Sequence, residues 1–165
     1  MPEKATLERA QADRRAGKSP STQAGEFVRE EMDHIREGKH GARSTKQAIA
    51  IGLSKARRAG VGLRAPAKGK ASNRTRRSAQ SALRRGGSRR KTSARRSRGT
   101  LGALRREGRG AASREALARQ ARTTARRRGR RARSASASRA VRTKGPRRRR
   151  AAARKAARTR ARSRR

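Results

Sequence analysis

The sequence predicts a mostly α protein, with a small helical hairpin of two to three short helices at the N-terminus followed by a long disordered, Arg/Ala-rich tail. Three observations lead there. Large apolar side chains are scarce: hydrophobic residues make up 30% of the 165, most of them alanine, with one phenylalanine and no tryptophan or tyrosine. So few cannot offset the conformational entropy of ordering the whole chain, so any core must be small. The net charge of +43 is divided unequally: residues 1–63 carry 13 basic and 8 acidic side chains, residues 64–165 carry 40 and 2. Capped, amphipathic helical patterns occur only in the first part.

The first helix is expected over about residues 4–16, where good helix formers surround Leu7 and Ala10, with Glu3 and Glu8 near its start and Arg14 and Arg15 at its end. Gly17 breaks it, and Ser19-Pro20 is a restart signal, an N-cap followed by proline in the first turn. The second helix then runs over about 21–37. Ala24, Phe27, Val28, Met32 and Ile35 form its apolar stripe, and Glu26, Glu30, Glu31, Asp33 and Glu37 are assigned to the opposite side. Gly25 inside it costs about 1 kcal/mol against alanine, which a close helix–helix contact there would explain.

The third helix, about 45–59, is the most completely specified. Ser44 caps it, and Gln47 is placed to reach back to the Ser44 amide as a capping box. Ile49, Leu53 and Ala56, widened by Ala48 and Ile51, form the stripe, and Gly60 takes the left-handed position after the last turn. The short link through Gly38-Lys39-His40-Gly41 makes helices two and three neighbours, with a predicted core of Phe27, Val28, Met32, Ile35, Ile49, Ile51 and Leu53. Such a thin core is marginal alone, and a homodimer through the hairpin is the expected remedy.

Residues 61–66 read as a domain boundary, dividing a 1–63 helical module from a 64–165 polybasic, low-complexity tail. Of the tail's basic residues 35 are arginine and 5 lysine. Like charges this dense predict disorder in free solution, with partial helix in the alanine-rich runs Ser113–Arg128 and Arg148–Arg162 once phosphates neutralise them. The clusters expected to contact nucleic acid are Arg84, Arg85, Arg89, Arg90, Lys91, Arg95 and Arg96; then Arg126, Arg127, Arg128, Arg130 and Arg131; then Arg147, Arg148, Arg149, Arg150, Arg154 and Lys155. Arginine forks onto phosphate, and phosphate contacts carry no sequence information.

No cysteine is present, no signal peptide is read at the N-terminus, and no run approaches a membrane span. No catalytic constellation, phosphate-cradling loop or cofactor motif is found, so an enzyme is not expected. His34 and His40 stand near Glu30, Glu31 and Glu37, with Glu30 and His34 sharing a face at i, i+4; the set reads as solvent-exposed charge pairing, and no metal ligands are assigned.

The stretch from Thr45 to Gly60 (Thr-Lys-Gln-Ala-Ile-Ala-Ile-Gly-Leu-Ser-Lys-Ala-Arg-Arg-Ala-Gly), with Lys18 to Glu31 before it, resembles a group of small, uncharacterised basic bacterial proteins. That resemblance covers about residues 17–63 and implies no activity. The tail is similar in composition to those of histone H1-like bacterial proteins, though richer in arginine and without Lys-Pro-Ala-Ala repeats. Together these predict non-specific DNA binding and compaction in the cytoplasmic nucleoid. The alternatives are an RNA-binding or ribosome-associated protein, or a protein-interaction module with a localising basic tail.

Overall fold

A computed structural model describes residues 2–86 and 93–162. Their backbone is all helical, without strands: α1 Lys4–Arg15, α2 Pro20–Arg36, α3 Thr45–Arg58, α4 Asn73–Arg84, α5 Ala94–Arg105, a 3-10 turn Gly110–Ala112, and α6 Arg114–Arg162. The expectation of a short hairpin with a disordered, low-complexity tail is therefore corrected, because the described residues 64–86 and 93–162 hold α4, α5, the 3-10 turn and α6. The physical reason lies in the tail's two commonest residue types. Alanine and arginine rank among the best helix formers, and that preference prevails over like-charge repulsion here. Serines supply the starts: Ser72 Oγ accepts from the Thr75 amide at 3.2 Å, and Ser113 Oγ from the Ala116 amide at 3.1 Å.

The chain divides into two compact units, Met1–Gln120 and Ala121–Arg165. The first is built on the antiparallel pair α2 and α3. Ser19 Oγ accepts from the Thr22 amide with Pro20 in the first turn, and Ser44 Oγ accepts from the Gln47 amide at 3.3 Å. The Gln47 side chain reaches back to the Arg43 amide at 2.9 Å, one residue before the predicted partner. At the end of α3, Gly60 takes φ 88°, and the Val61 amide donates to Ala56 O, the double bond pattern of a Schellman motif. Gly17 and Gly38 close α1 and α2 in the same way.

Two apolar clusters lie along the hairpin. One gathers Ala10, Ala24, Phe27, Ala56 and Val61, flanked by Leu7, Leu53 and Leu63, where α1 meets the start of α2 and the end of α3. The other gathers Met32, Ile35, Ala42, Ala48, Ala111 and Ala112, flanked by Val28, Ile49 and Leu117. Of the predicted core, Phe27, Met32 and Ile35 are buried, Val28, Ile49 and Leu53 are half-buried against the clusters, and Ile51 is half-buried but belongs to neither.

The close helix contact is at Gly52, not Gly25. A Cβ on Gly52 would meet Val28 Cα at 2.7 Å and Phe27 O at 2.9 Å, whereas one on Gly25 would meet nothing within 4 Å.

Packing continues past residue 63. The Arg57 guanidinium, itself buried, donates to Leu63 O at 3.1 Å and Arg64 O at 3.3 Å, and α4 docks beside α3 and buries Ala79 and Ala82. Farther on, the Gly41 amide donates to Leu104 O and the Ala42 amide to Gly108 O. Thr45 Oγ1 donates to Ala111 O at 2.7 Å, and Arg36 Nε to Ala112 O at 3.1 Å. The 104–117 segment thus covers part of the α2–α3 hairpin within the same chain.

Candidate functional site

The basic side chains divide by their surroundings. Arg84 and Arg85 end α4, and Arg95 and Arg96 lie in α5; all four are exposed. Arg89, Arg90 and Lys91 lie outside the described residues. Arg126, Arg127, Arg128, Arg130, Arg131, Arg147, Arg148, Arg149, Arg150, Arg154 and Lys155 are all on α6 and all exposed. The unit that holds these eleven, Ala121–Arg165, contains 21 Lys or Arg and no Asp or Glu.

Two glycines set the form of α6. Gly129 (φ 73°, ψ 167°) and Gly145 (φ 65°, ψ 168°) leave the helical region for one that is essentially glycine's alone. They divide α6 into three helical segments, the last opening on Pro146 in its first turn, where its missing N–H is not needed. Arg147, Arg150, Arg154, Lys155 and Arg158 share one face of that last segment, at i, i+3, i+7, i+8 and i+11, with Ala151 between them. At the Gly145 bend, Ala140 and Val141 line a shallow concavity with Pro146, Ala152 and Ala153 beside Arg149 and Arg150, and all of these residues remain exposed.

A second polar cluster is buried inside the first unit. Glu30 and Glu31, assigned from sequence to an exposed face, are 3% and 0% exposed. Phe27, Glu31 and Ile35 recur every four residues, so Glu31 interrupts the apolar stripe; that spacing is the signal a sequence reading could have used. Glu30 closes the start of α1 from a neighbouring helix, since Glu3 N donates to its Oε2 at 3.0 Å, while Lys55 Nζ donates to its Oε1 at 3.2 Å. Burial alone would raise its pKa. Hydrogen bonds from the Glu3 amide, the Thr6 hydroxyl and Lys55 outweigh that and hold its carboxyl below the ordinary range.

Glu31 lies between Lys55 and the histidines. Lys55 Nζ stands 2.7 Å from Oε2 and His40 Nε2 stands 3.4 Å from Oε1, yet neither oxygen receives a hydrogen bond. His34 Nε2 donates to Glu3 Oε1 at 2.7 Å, and that contact, with Lys39, lowers the Glu3 pKa. His40 Nδ1 lies 3.1 Å from Gly41 O. The two imidazoles meet edge to face, 6.1 Å between centroids. Solvent-exposed charge pairing holds for Glu37, which meets Lys39 at 2.8 Å, and is corrected for the rest: the His34 and His40 side chains are 13% and 9% exposed, and Glu31 not at all.

Among the described residues no helix is long and apolar enough to cross a membrane. Comparison with known protein families, curated proteins and solved structures finds no match for this chain.

Proposed function

We propose that the protein binds DNA through its phosphate backbone, without marked sequence preference, and compacts it by charge neutralisation in a bacterial nucleoid. The observation that carries this reading is the Ala121–Arg165 unit: its sequence has 21 cationic and no anionic side chains, and its described arginines lie exposed on helical segments. A duplex presents one charge per roughly 1.7 Å of axis, and arginine matches phosphate oxygens two at a time.

The stripe from Arg147 to Arg158 rises about 16 Å along its helix, the length of roughly five base pairs, and the major groove admits a helix of this width. Side chains for discriminating bases other than guanine are few. The unit has no Asn or Gln to pair with adenine and no acid to accept from cytosine. Arginine can fork onto guanine as well as onto phosphate, but a dense run of arginines favours contacts that position a protein on the duplex over those that select a sequence. The +38 borne by residues 64–165 balances the phosphates of roughly 20 base pairs.

The test is fluorescence anisotropy of the full chain on two unrelated duplexes across a salt series. Equal affinities with a steep negative log–log slope are expected. Replacing Arg147, Arg150, Arg154, Lys155 and Arg158 with Gln should make that slope shallower by up to about 4.5, since each phosphate a cation neutralises contributes roughly 0.9. A shallow slope in the unaltered protein, or a preference for one duplex beyond about a hundredfold, overturns the reading. Structured RNA outcompeting DNA at equal phosphate concentration would make RNA the ligand instead.

A further inference from the structure

We infer that Glu31, His34 and His40 form a binding site for one divalent transition-metal ion of the Zn2+ type, clamping the loop between α2 and α3 onto α2. One ligand atom from each of the three lies within 4.8 Å of those of the other two. Two further observations point to a cation. The Glu31 carboxylate is fully buried, and apart from the Lys55 ammonium 2.7 Å from Oε2, which is not directed as a hydrogen bond, its oxygens receive none. Leaving a buried carboxylate in that condition is costly unless a positive charge meets it. The partner facing Oε1 is also an acceptor when neutral: His40 Nδ1 carries its proton toward Gly41 O, which leaves the Nε2 lone pair 3.4 Å from Oε1.

That 3.4 Å is close to the edge of a tetrahedron whose centre bonds oxygen and nitrogen at about 2.1 Å. Both imidazoles also have the outer partners that metal-binding histidines require. The Gly41 carbonyl fixes His40, and the Glu3 carboxylate, 2.7 Å from His34 Nε2, fixes His34. Lys55 holds the other Glu31 oxygen at 2.7 Å, but its charge is shared with Glu30 at 3.2 Å, so it does not neutralise the Glu31–histidine side alone. Two histidines and one carboxylate are a borderline donor set suited to Zn2+, and three protein ligands leave a fourth position for water. The partly exposed His34 gives a path of entry.

The experiment is calorimetric titration of the metal-free full chain with Zn2+, and with Co2+ followed by visible absorption. One ion per chain is expected, with the absorption of four-coordinate Co2+. His40→Ala and Glu31→Gln should abolish both, Glu3→Gln should weaken binding by about tenfold or more, and the exposed control Glu37→Gln should leave it unchanged. The histidine ring signals of the unaltered protein provide a second readout that no folding defect in Glu31→Gln can affect. Both imidazoles should shift together at one equivalent of Zn2+. Binding that survives His40→Ala, stoichiometry well above one, or ring signals that do not respond to Zn2+ would overturn the site. None of these outcomes bears on the DNA-binding proposal.

Discussion

Individual residues set the tolerances of the first unit. Gly52 lies where α2 and α3 come closest, with Val28 Cα and Phe27 O in the space a Cβ would occupy. Gly52→Ala should therefore lower stability by about 1–3 kcal/mol, the range for overpacking a close contact. Gly25→Ala, on an open face of α2, should raise it by about 0.5–1 kcal/mol. Opposite shifts of the thermal midpoint in the two variants would check both. Acid sensitivity follows from Glu3 and Glu30, whose folded pKa values lie below the unfolded 4.5. Groups shifted down contribute stability above the unfolded value and lose it as pH falls through the folded one. The thermal midpoint should hold near neutrality and drop below about pH 4.5, and Glu30→Gln should flatten that drop.

The local signals could be read from the sequence, because the chemistry of Ser19, Ser44 and Gly60 lies within a few residues of each. The burial of Glu31 could not be read in the same way. Its partners, His40 and Lys55, come from the loop and from another helix.

For the elements, the two bends in α6 make contrasting predictions. Gly129 has no proline beside it, so Gly129→Ala should let the flanking segments join and raise far-ultraviolet helicity. Gly145→Ala should not do so, because Pro146 keeps the residue before it out of helical geometry. Equal gains in both variants would count against this account of the second bend. These elements also show where sequence reasoning fails. The helices beyond residue 63 escape it for want of large side chains, yet α4 and the 3-10 turn dock on Ala79, Ala82, Ala111 and Ala112. Alanine is easily taken for filler, but it permits the approach of backbones that larger residues would hold apart. Carbonyls at Ala111 and Ala112 then accept bonds from Thr45 and Arg36.

For the whole molecule, charge dominates. At +43 on 165 residues, self-repulsion opposes compaction in dilute buffer. Raising ionic strength from about 0.01 M to 0.15 M shortens the screening length from about 30 Å to about 8 Å. The thermal midpoint should rise across that interval, opposite to the response of a fold held by surface ion pairs, and a short polyanion should achieve the same at lower ionic strength.

The hydrogen bonds from Arg36 to Ala112 and from Thr45 to Ala111 span 76 and 66 residues. A ribosome adding about 5–20 residues per second takes several seconds to cover that separation. During that interval the hairpin has emerged with Met32, Ile35 and Ala48 still awaiting their cover, while a strongly cationic stretch follows it out beside ribosomal RNA. Completion of the first unit is thus timed by translation, and a pause just before Ala111 would prolong the period in which the nascent chain is open to capture by chaperones.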